Sequence, residues 1–334
     1  MSLLFPPEKP HAYTWLLMKG DSYLPGVFVS AWSVRRTCPK ADLVVLCTPD
    51  VSQTARDKLL LVVDNIYSIN YLTFPSKELK TARQRELYAE WVSCAYTKWQ
   101  ILSLPYEKVC QLDADTVVVC NIDELFDMQA PAMPLASPFT TPLGTAPNYF
   151  TGEVGLDGYP VEGACITREM INRMLKSAGT VCISTPAVIE PNAEDYADYI
   201  AYINKRLPYG STNCMSAFDE QSICDFYVNS KKTSITAIHH RYNYYPWKEG
   251  FLFPGEIPRI IHFFSDTKPW SVCYDEYPDM ISWYKMAYAA CKDIGIEPTE
   301  ININCADCTS ADCSGDTFID KFVEGFNILT LAHL

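Results

Sequence analysis

The sequence predicts an α/β protein with a Rossmann-like, mostly parallel central sheet and helices on both faces. Three observations carry this. Short apolar runs alternate with helix-like stretches from Ala12 to Leu112; two acidic residues, Asp113 and Asp115, stand directly after the last of those runs; and no low-complexity linker or internal repeat divides the chain.

Taken in order, Ala12 to Leu17 reads as a strand, and Leu24 to Arg36 as a helix with Pro25 in its first turn, where a missing N–H costs nothing. Leu43 to Cys47 is a short continuous apolar strand, followed by a helix from about Val51 to Val63 and a strand from Ile66 to Leu72. Arg85 to Leu104 reads as one long helix with Leu87, Trp91, Cys94, Tyr96 and Trp99 mostly along one face, and Lys108 to Leu112 as a fourth strand. Such a βαβαβαβ order implies a ligand crevice beyond the carboxyl ends of the strands, where Asp113 falls. The second half is less regular, with a Gly- and Pro-bearing loop from Thr141 to Pro160, helices near Arg168 to Ala178 and Ala193 to Lys205, and an aromatic run from Tyr242 to Trp247. The expected organisation is a catalytic domain over residues 11–275 and a helical, Cys-containing appendage over residues 276–334, with helices at Ile281 to Cys291 and Phe318 to Ile328.

The chain has 334 residues, 48% of them hydrophobic, enough for a substantial core without disulfides. A net charge of -13 argues against nucleic acid or an anionic membrane as partner, since both need excess Lys and Arg. No window approaches the roughly 18 apolar residues of a membrane span, and Met1 to Pro10 lacks the apolar run of a signal peptide, so the expected location is the cytoplasm. The 14 cysteines are scattered through strands and helices and read as free thiols. At Cys305, Cys308 and Cys313 three soft ligands stand close together without an evident fourth, which leaves both a zinc site and a plain Cys-rich loop open, the loop preferred.

Asp113-Ala114-Asp115 places two carboxylates at i and i+2, on one side of an extended turn, where they can share a hard cation. Mg2+ or Mn2+ prefers oxygen ligands and keeps positions open for substrate phosphates. An isolated Asp-x-Asp is more often a polar turn. Here His262, in Ile261-His262-Phe263-Phe264, and Lys268, in Lys268-Pro269-Trp270, add the imidazole and ammonium that a metal-diphosphate site needs.

These segments resemble, in collinear order from Tyr13 to Tyr274, the family 8 glycosyltransferases of the glycogenin type. The matching pieces are Asp21-Ser22-Tyr23-x-x-Gly26, Leu43 to Thr48, Thr97-Lys98-Trp99, Leu112 to Val118, Asn121 to Phe126, Asp219-Glu220-Gln221, His262-Phe263 and Lys268-Pro269-Trp270. Leu87-Tyr88-x-x-Trp91, Ala130 to Met133 and Phe218 to Gln221 look most like the glycogenin-like enzymes of large insect DNA viruses, which would make this a viral protein of the host cytoplasm. The resemblance implies a GT-A fold and a Mn2+-dependent (or Mg2+-dependent) hexosyltransferase that retains anomeric configuration, with a UDP-sugar donor, UDP-glucose favoured. It implies metal ligands at Asp115 and His262, with Asp113 serving the metal and the donor ribose. Leu17, Lys19 and Tyr23 fall where the family holds uridine. Ala114 lies within the donor-binding motif, Lys98 falls beside the sugar or phosphate, and Lys268 at the diphosphate. Glu220 and Gln221, with Asp219 in reserve, are implied for sugar binding and for stabilising positive charge at the anomeric carbon.

Departures from the family bear on the sugar and the acceptor. The family's Asn-Ser-Gly loop appears as Val161-Glu162-Gly163, so Glu162 and Gly163 take the place of its donor-sugar contacts, and no tyrosine maps cleanly onto a self-glycosylation site. The acceptor, a sugar, glycan or protein, stays open, as does a homodimer. The other readings are a catalytically impaired sugar-nucleotide-binding or interaction protein of the same fold, and a dinucleotide enzyme. The second lacks a Gly-x-Gly-x-x-Gly after the first strand.

Overall fold

A computed structural model of the protein describes residues 2–3, 7–79, 81–135, 162–177, 185–209, 218–244, 257–264, 267–271 and 280–303, with the backbone alone for residues 2–3, 83, 173–177 and 218. The Thr141 to Pro160 loop, Val161, Tyr245 to Trp247, the Phe318 to Ile328 helix and Cys305, Cys308 and Cys313 lie outside the described residues.

The first strand, β1 (Ser2–Leu3), lies at one edge of a nine-stranded sheet and pairs antiparallel with β4 (Asn65–Ser68). The centre of that sheet is formed by β2 (His11–Leu17), β3 (Asp42–Cys47), β4 and β5 (Lys108–Gln111), arranged β4-β3-β2-β5 and all parallel. This is the mostly parallel centre that the alternating pattern predicts. Beyond β5 the sheet continues through β9 (Ala187–Ile189), β7 (Ala132–Pro134), β10 (Ile235–Ile238) and β8 (Cys165–Ile166), with antiparallel pairings except between β7 and β10. A separate ribbon joins β6 (Thr116–Val118) and β11 (Ile260–His262) antiparallel, with His262 opposite Thr116.

Strands buried on both faces are apolar at most positions, and the alternation sorts their side chains into two cores. Tyr13, Trp15, Leu17, Leu43, Val45 and Cys47 enter one core, while Ala12, Val44, Leu46 and Tyr67 enter the other. The first core is roofed by α1 (Leu24–Arg35), whose residues from Leu24 to Val34 are all buried, as expected of a helix apolar on every side. α2 (Gln53–Leu59) and α7 (Ile281–Ile294) lie against α1, so the helix in the segment expected as an appendage contributes Trp283, Tyr284, Ala287 and Ala290 to the main core. Trp32 of α1 donates to Asp293 of α7 at 2.9 Å. The second core is covered by α4 (Arg168–Ser177), α5 (Ala193–Asn204), α6 (Phe218–Asp225) and a 3-10 helix, Ala95–Ser103.

Three boundaries differ from expectation. The helix expected over Arg85 to Leu104 is two elements, α3 (Ala82–Tyr88), opened by a Thr81–Gln84 capping box, and the 3-10 helix. In a continuous α-helix the Ser93 carbonyl would accept from Thr97; it instead accepts from Phe74, and Thr97 N–H turns to Cys94. Tertiary hydrogen bonds thus outcompete helix propensity, which is weak in a run holding Trp91, Val92, Thr97 and Trp99. The helix after Val51 is only Gln53–Leu59, capped by Ser52, and tightens into 3-10-like turns at Leu61 and Val62. The strand after it stops at Ser68.

Candidate active site

The strand order reverses between β2 and β5, so their carboxyl ends flank the topological switch point, where open α/β sheets bind ligands. Asp113-Ala114-Asp115 connects β5 to β6 at this point. Its backbone is fixed from several sides: Asp113 N–H donates to Thr185 Oγ1 at 3.0 Å, Thr116 Oγ1 donates to the Asp113 carbonyl at 2.7 Å, and Phe263 N–H donates to the Asp115 carbonyl at 2.8 Å. The last of these comes from the residue after β11, so ribbon pairing is what brings His262 to the carboxylate pair.

Asp115 and His262 are both buried, and His262 Nε2 lies 3.2 Å from Asp115 Oδ1. Lys268 Nζ lies 2.6 Å from the other oxygen, Oδ2. Burial opposes charge on Asp115, but the Lys268 ammonium and the His262 ring outweigh it and hold the carboxyl well below the usual carboxylate range. Burial likewise disfavours charge on Lys268, and Asp115 reverses that, keeping the amine protonated above its ordinary range. On its far side, His262 Nδ1 is 2.7 Å from Asn243 Oδ1.

A second lysine ties the motif to α6. Lys98, from the 3-10 helix, lies 3.0 Å from Asp113 Oδ1 and 3.6 Å from Asp219 Oδ2. Burial works against its charge, but Asp113, Asp219 and Glu220 hold it protonated well above the ordinary lysine value. The Asp219 carbonyl also accepts from Trp99 Nε1 at 2.9 Å and from Ser222 Oγ at 2.6 Å, so the start of α6 is locked to the helix that carries Lys98. Gln221 is buried beside it, and its carbonyl accepts from Tyr209.

The residues expected around the nucleoside divide. Tyr23 is 40% exposed and edge-on to Trp270 at 5.2 Å between ring centroids; burial of its hydroxyl raises its pKa, with Lys268 pulling it down and Asp115 and Asp113 pushing it up, which puts it beside the motif. Lys19 and Gly20 both turn left-handed after β2, and Lys19 N–H donates to Tyr71 OH, which in turn donates to Asp50. The Leu17 side chain is fully buried in the α1 core and its carbonyl accepts from Thr48. Glu162 is ion-paired to Arg241 at 2.5 Å, with Tyr242 OH within 3.5 Å, and Gly163 is left-handed with its N–H on the Ala237 carbonyl. Asn243, Thr185 and Arg241 were not expected from the sequence; only their positions in space reveal them.

Gly26 belongs to the site although it carries no side chain. A Cβ there would lie 2.5 Å from the Trp270 ring and 2.7 Å from the Ala114 carbonyl oxygen, so only glycine lets α1, the Lys268-Pro269-Trp270 turn and the acidic motif meet.

Donor atoms of Asp113, Asp115 and His262 all lie within 4.8 Å of one another. Two carboxylates and one imidazole in a crevice fit a hard or borderline divalent cation such as Mn2+ or Mg2+. Among the described residues no helix is long and apolar enough to cross a membrane.

A parallel-centred sheet with an acidic pair at its switch point, and a histidine and two lysines around it, is a GT-A architecture. Residues 16–151 match the family described as Glycosyl transferase family 8, and the chain is similar to members of that family. It is 26% identical over 269 residues to an uncharacterized protein of Acanthamoeba polyphaga mimivirus, covering 78% of this chain and 83% of that one. It is 26% identical over 268 residues to Glycogenin-1 of Oryctolagus cuniculus, covering 78% of this chain and 65% of that protein, so it spans about two thirds of this relative's length. Among solved structures, the glycosyltransferase GlyE of Streptococcus pneumoniae superposes with a TM-score of 0.50 at 11% identity, covering 96% of this chain and 64% of that one, a likeness of fold.

Proposed function

We propose that the protein transfers a hexose from a UDP-sugar, UDP-glucose favoured, to an acceptor with retention of configuration, and that Asp113, Asp115 and His262 hold the divalent cation this needs, Mn2+ before Mg2+. The observation that carries the reading is the convergence of those three donors beside two protonated lysines. When bound, the cation supplies Lewis-acid stabilisation of the negative charge that grows on the diphosphate leaving group.

The chain's own groups do the rest. In this reading Lys268, kept protonated, meets a diphosphate oxygen, and the edge-on pair of Tyr23 and Trp270 would serve as an aromatic wall for the nucleoside. Lys98 binds Asp113 and Asp219 into one unit, and in this proposal it meets the donor's sugar or phosphate oxygens from there. Glu220 and Gln221, with Asp219 beside them, bind the sugar and stabilise positive charge at the anomeric carbon. A fixed donor of this kind contributes on the order of 2.7–4 kcal/mol to the transition state. Lys19, Glu162 and Gly163 are assigned to the donor's periphery, and Leu17 to the floor beneath it. The domain limits of 11–275 and 276–334 stay with this proposal. So does a viral enzyme acting in the host cytoplasm, which the similarity to the mimivirus protein supports. A homodimer stays open beside it, and sedimentation decides that point.

The test is incubation of the purified protein with radiolabelled UDP-sugars in Mn2+ or EDTA, reading hydrolysis and transfer. Metal-dependent release of UDP, lost in Asp115→Asn with an unchanged circular dichroism spectrum, is expected. Equal turnover in EDTA, or by Asp115→Asn, would remove the cation from the reading.

A further inference from the structure

The assembly around His262 extends beyond the atoms that face a cation. Asn243 ends the short 3-10 helix His240–Tyr242, and its N–H is held by the His240 carbonyl at 2.8 Å. The next residue runs alongside β11: Tyr244 N–H donates to the Ile260 carbonyl at 3.0 Å, and His262 N–H donates to the Tyr244 carbonyl at 2.7 Å. The backbones of Asn243 and His262 are thus fixed relative to each other, and both side chains are buried. Between them, Asn243 Oδ1 stands 2.7 Å from His262 Nδ1.

An amide oxygen can only accept, so the proton of that hydrogen bond belongs to Nδ1. A neutral imidazole carries one N–H. In the neutral ring Nε2, the nitrogen turned toward Asp115 Oδ1 at 3.2 Å, then keeps its lone pair. Without a cation a second proton can sit there and bond to that carboxylate, and a bound cation takes that proton's place. A histidine holds a cation through such a lone pair, and the group on its other nitrogen decides which tautomer is present. Were the amide turned over, its NH2 would donate to Nδ1, the proton would move to Nε2, and the ring could not act as a ligand.

We propose that Asn243 is a positioning residue for the metal site: its side-chain oxygen holds His262 in the Nδ1–H tautomer and aims Nε2 at the carboxylate pair. The inference rests on the cation-dependent reading above, but its first readout needs no metal. It predicts that an acceptor at position 243 is required and an amide is not, so Asn243→Asp retains the arrangement and Asn243→Leu, of similar size, loses it.

Two measurements test it on the full chain. Imidazole 15N spectra of the metal-free protein, above the ordinary histidine pKa, identify the His262 signal by its loss in His262→Gln, a tractable assignment with five histidines in the chain. Wild type and Asn243→Asp should show Nδ1–H at His262, and Asn243→Leu a mixture or Nε2–H. Mn2+ titration followed by electron paramagnetic resonance should then show affinity reduced roughly 10–100-fold in Asn243→Leu and largely kept in Asn243→Asp. A neutral His262 ring whose single proton is on Nε2 in the wild type, or Asn243→Leu with wild-type tautomer and wild-type Mn2+ affinity, overturns the assignment. Wild type that shows Nδ1–H but binds no Mn2+ would sink the metal reading while leaving the tautomer-setting role of Asn243 standing.

Discussion

Lys268 and His262 divide the Asp115 carboxylate between them, the ammonium at 2.6 Å from Oδ2 and the imidazole at 3.2 Å from Oδ1. A cation held by Oδ1 and His262 therefore has a fixed positive charge on the opposite oxygen. Two unit positive charges about 4 Å apart repel by roughly 4 kcal/mol at an effective dielectric near 20, and a divalent cation doubles the charge product. A diphosphate would relieve this by drawing Lys268 toward itself.

Lys268→Met should therefore bind Mn2+ alone at least as tightly as the wild type, while UDP affinity in Mn2+ falls about tenfold or more, the range expected for loss of a charge-assisted contact. Calorimetry of Mn2+ and of UDP separately checks this. Parallel weakening of both would mean that Lys268 supports the metal site rather than opposing it.

Lys98 neutralises two carboxylates that are at most a quarter exposed, Asp113 and Asp219. Its replacement by Met leaves both without their cation, and breaking a buried pair in this way costs about 3–5 kcal/mol. Urea unfolding should show that loss, accompanied by loss of transfer. A variant with wild-type stability would show that water enters and solvates the pair.

The depressed pKa of Asp115 gives a direction with pH. A carboxyl whose folded pKa lies below its unfolded value, about 3.9, contributes stability that is present above the unfolded value and is lost as pH falls. In EDTA, the stability difference between wild type and Asp115→Asn should be largest near neutrality and shrink below about pH 4. The raised pKa of Lys268 acts only at alkaline pH and does not enter this window. A difference that stays constant into acid would contradict the ionised pairing of Asp115.

Gly26→Ala forces Trp270 or the Ala114 carbonyl to move. Overpacking of this kind costs typically 1–3 kcal/mol. Transfer should fall more than stability does, because the displaced groups adjoin Lys268 and Asp115. Thermal melts alongside steady-state kinetics separate the two, and unchanged kinetics would place the Trp270 turn outside the working site.

The acidic motif and the parallel centre were legible because both are local: an apolar strand followed by Asp-x-Asp is contained in a few residues. The β6–β11 pairing was not. Strands of three residues carry no measurable period, and nothing in Ile260-Ile261-His262 names Thr116 as the partner of His262. The long helix over Arg85 to Leu104 was misread because its apolar spacing suited a helix while its hydrogen bonds were claimed by Leu72 and Phe74. Glu162 fell where the family touches sugar, but a nearby arginine, invisible in the linear order, pairs with it. Asn243, between two tyrosines, carries no signal in the sequence; only its side chain against a buried imidazole reveals it.

The ribbon also bears on synthesis of the protein. Lys268 and Asp115 are 153 residues apart in the chain. At translation rates of about 5–20 residues per second, a nascent chain would carry the acidic pair for many seconds before His262 and Lys268 leave the ribosome. During that interval the early sheet can collapse and Lys98 can reach Asp113, but the two carboxylates have neither His262 nor Lys268 beside them. The ability to grip a nucleotide sugar would thus arrive in one late step, when β11 closes on β6, and an incomplete chain would stay inert toward a donor it could otherwise waste.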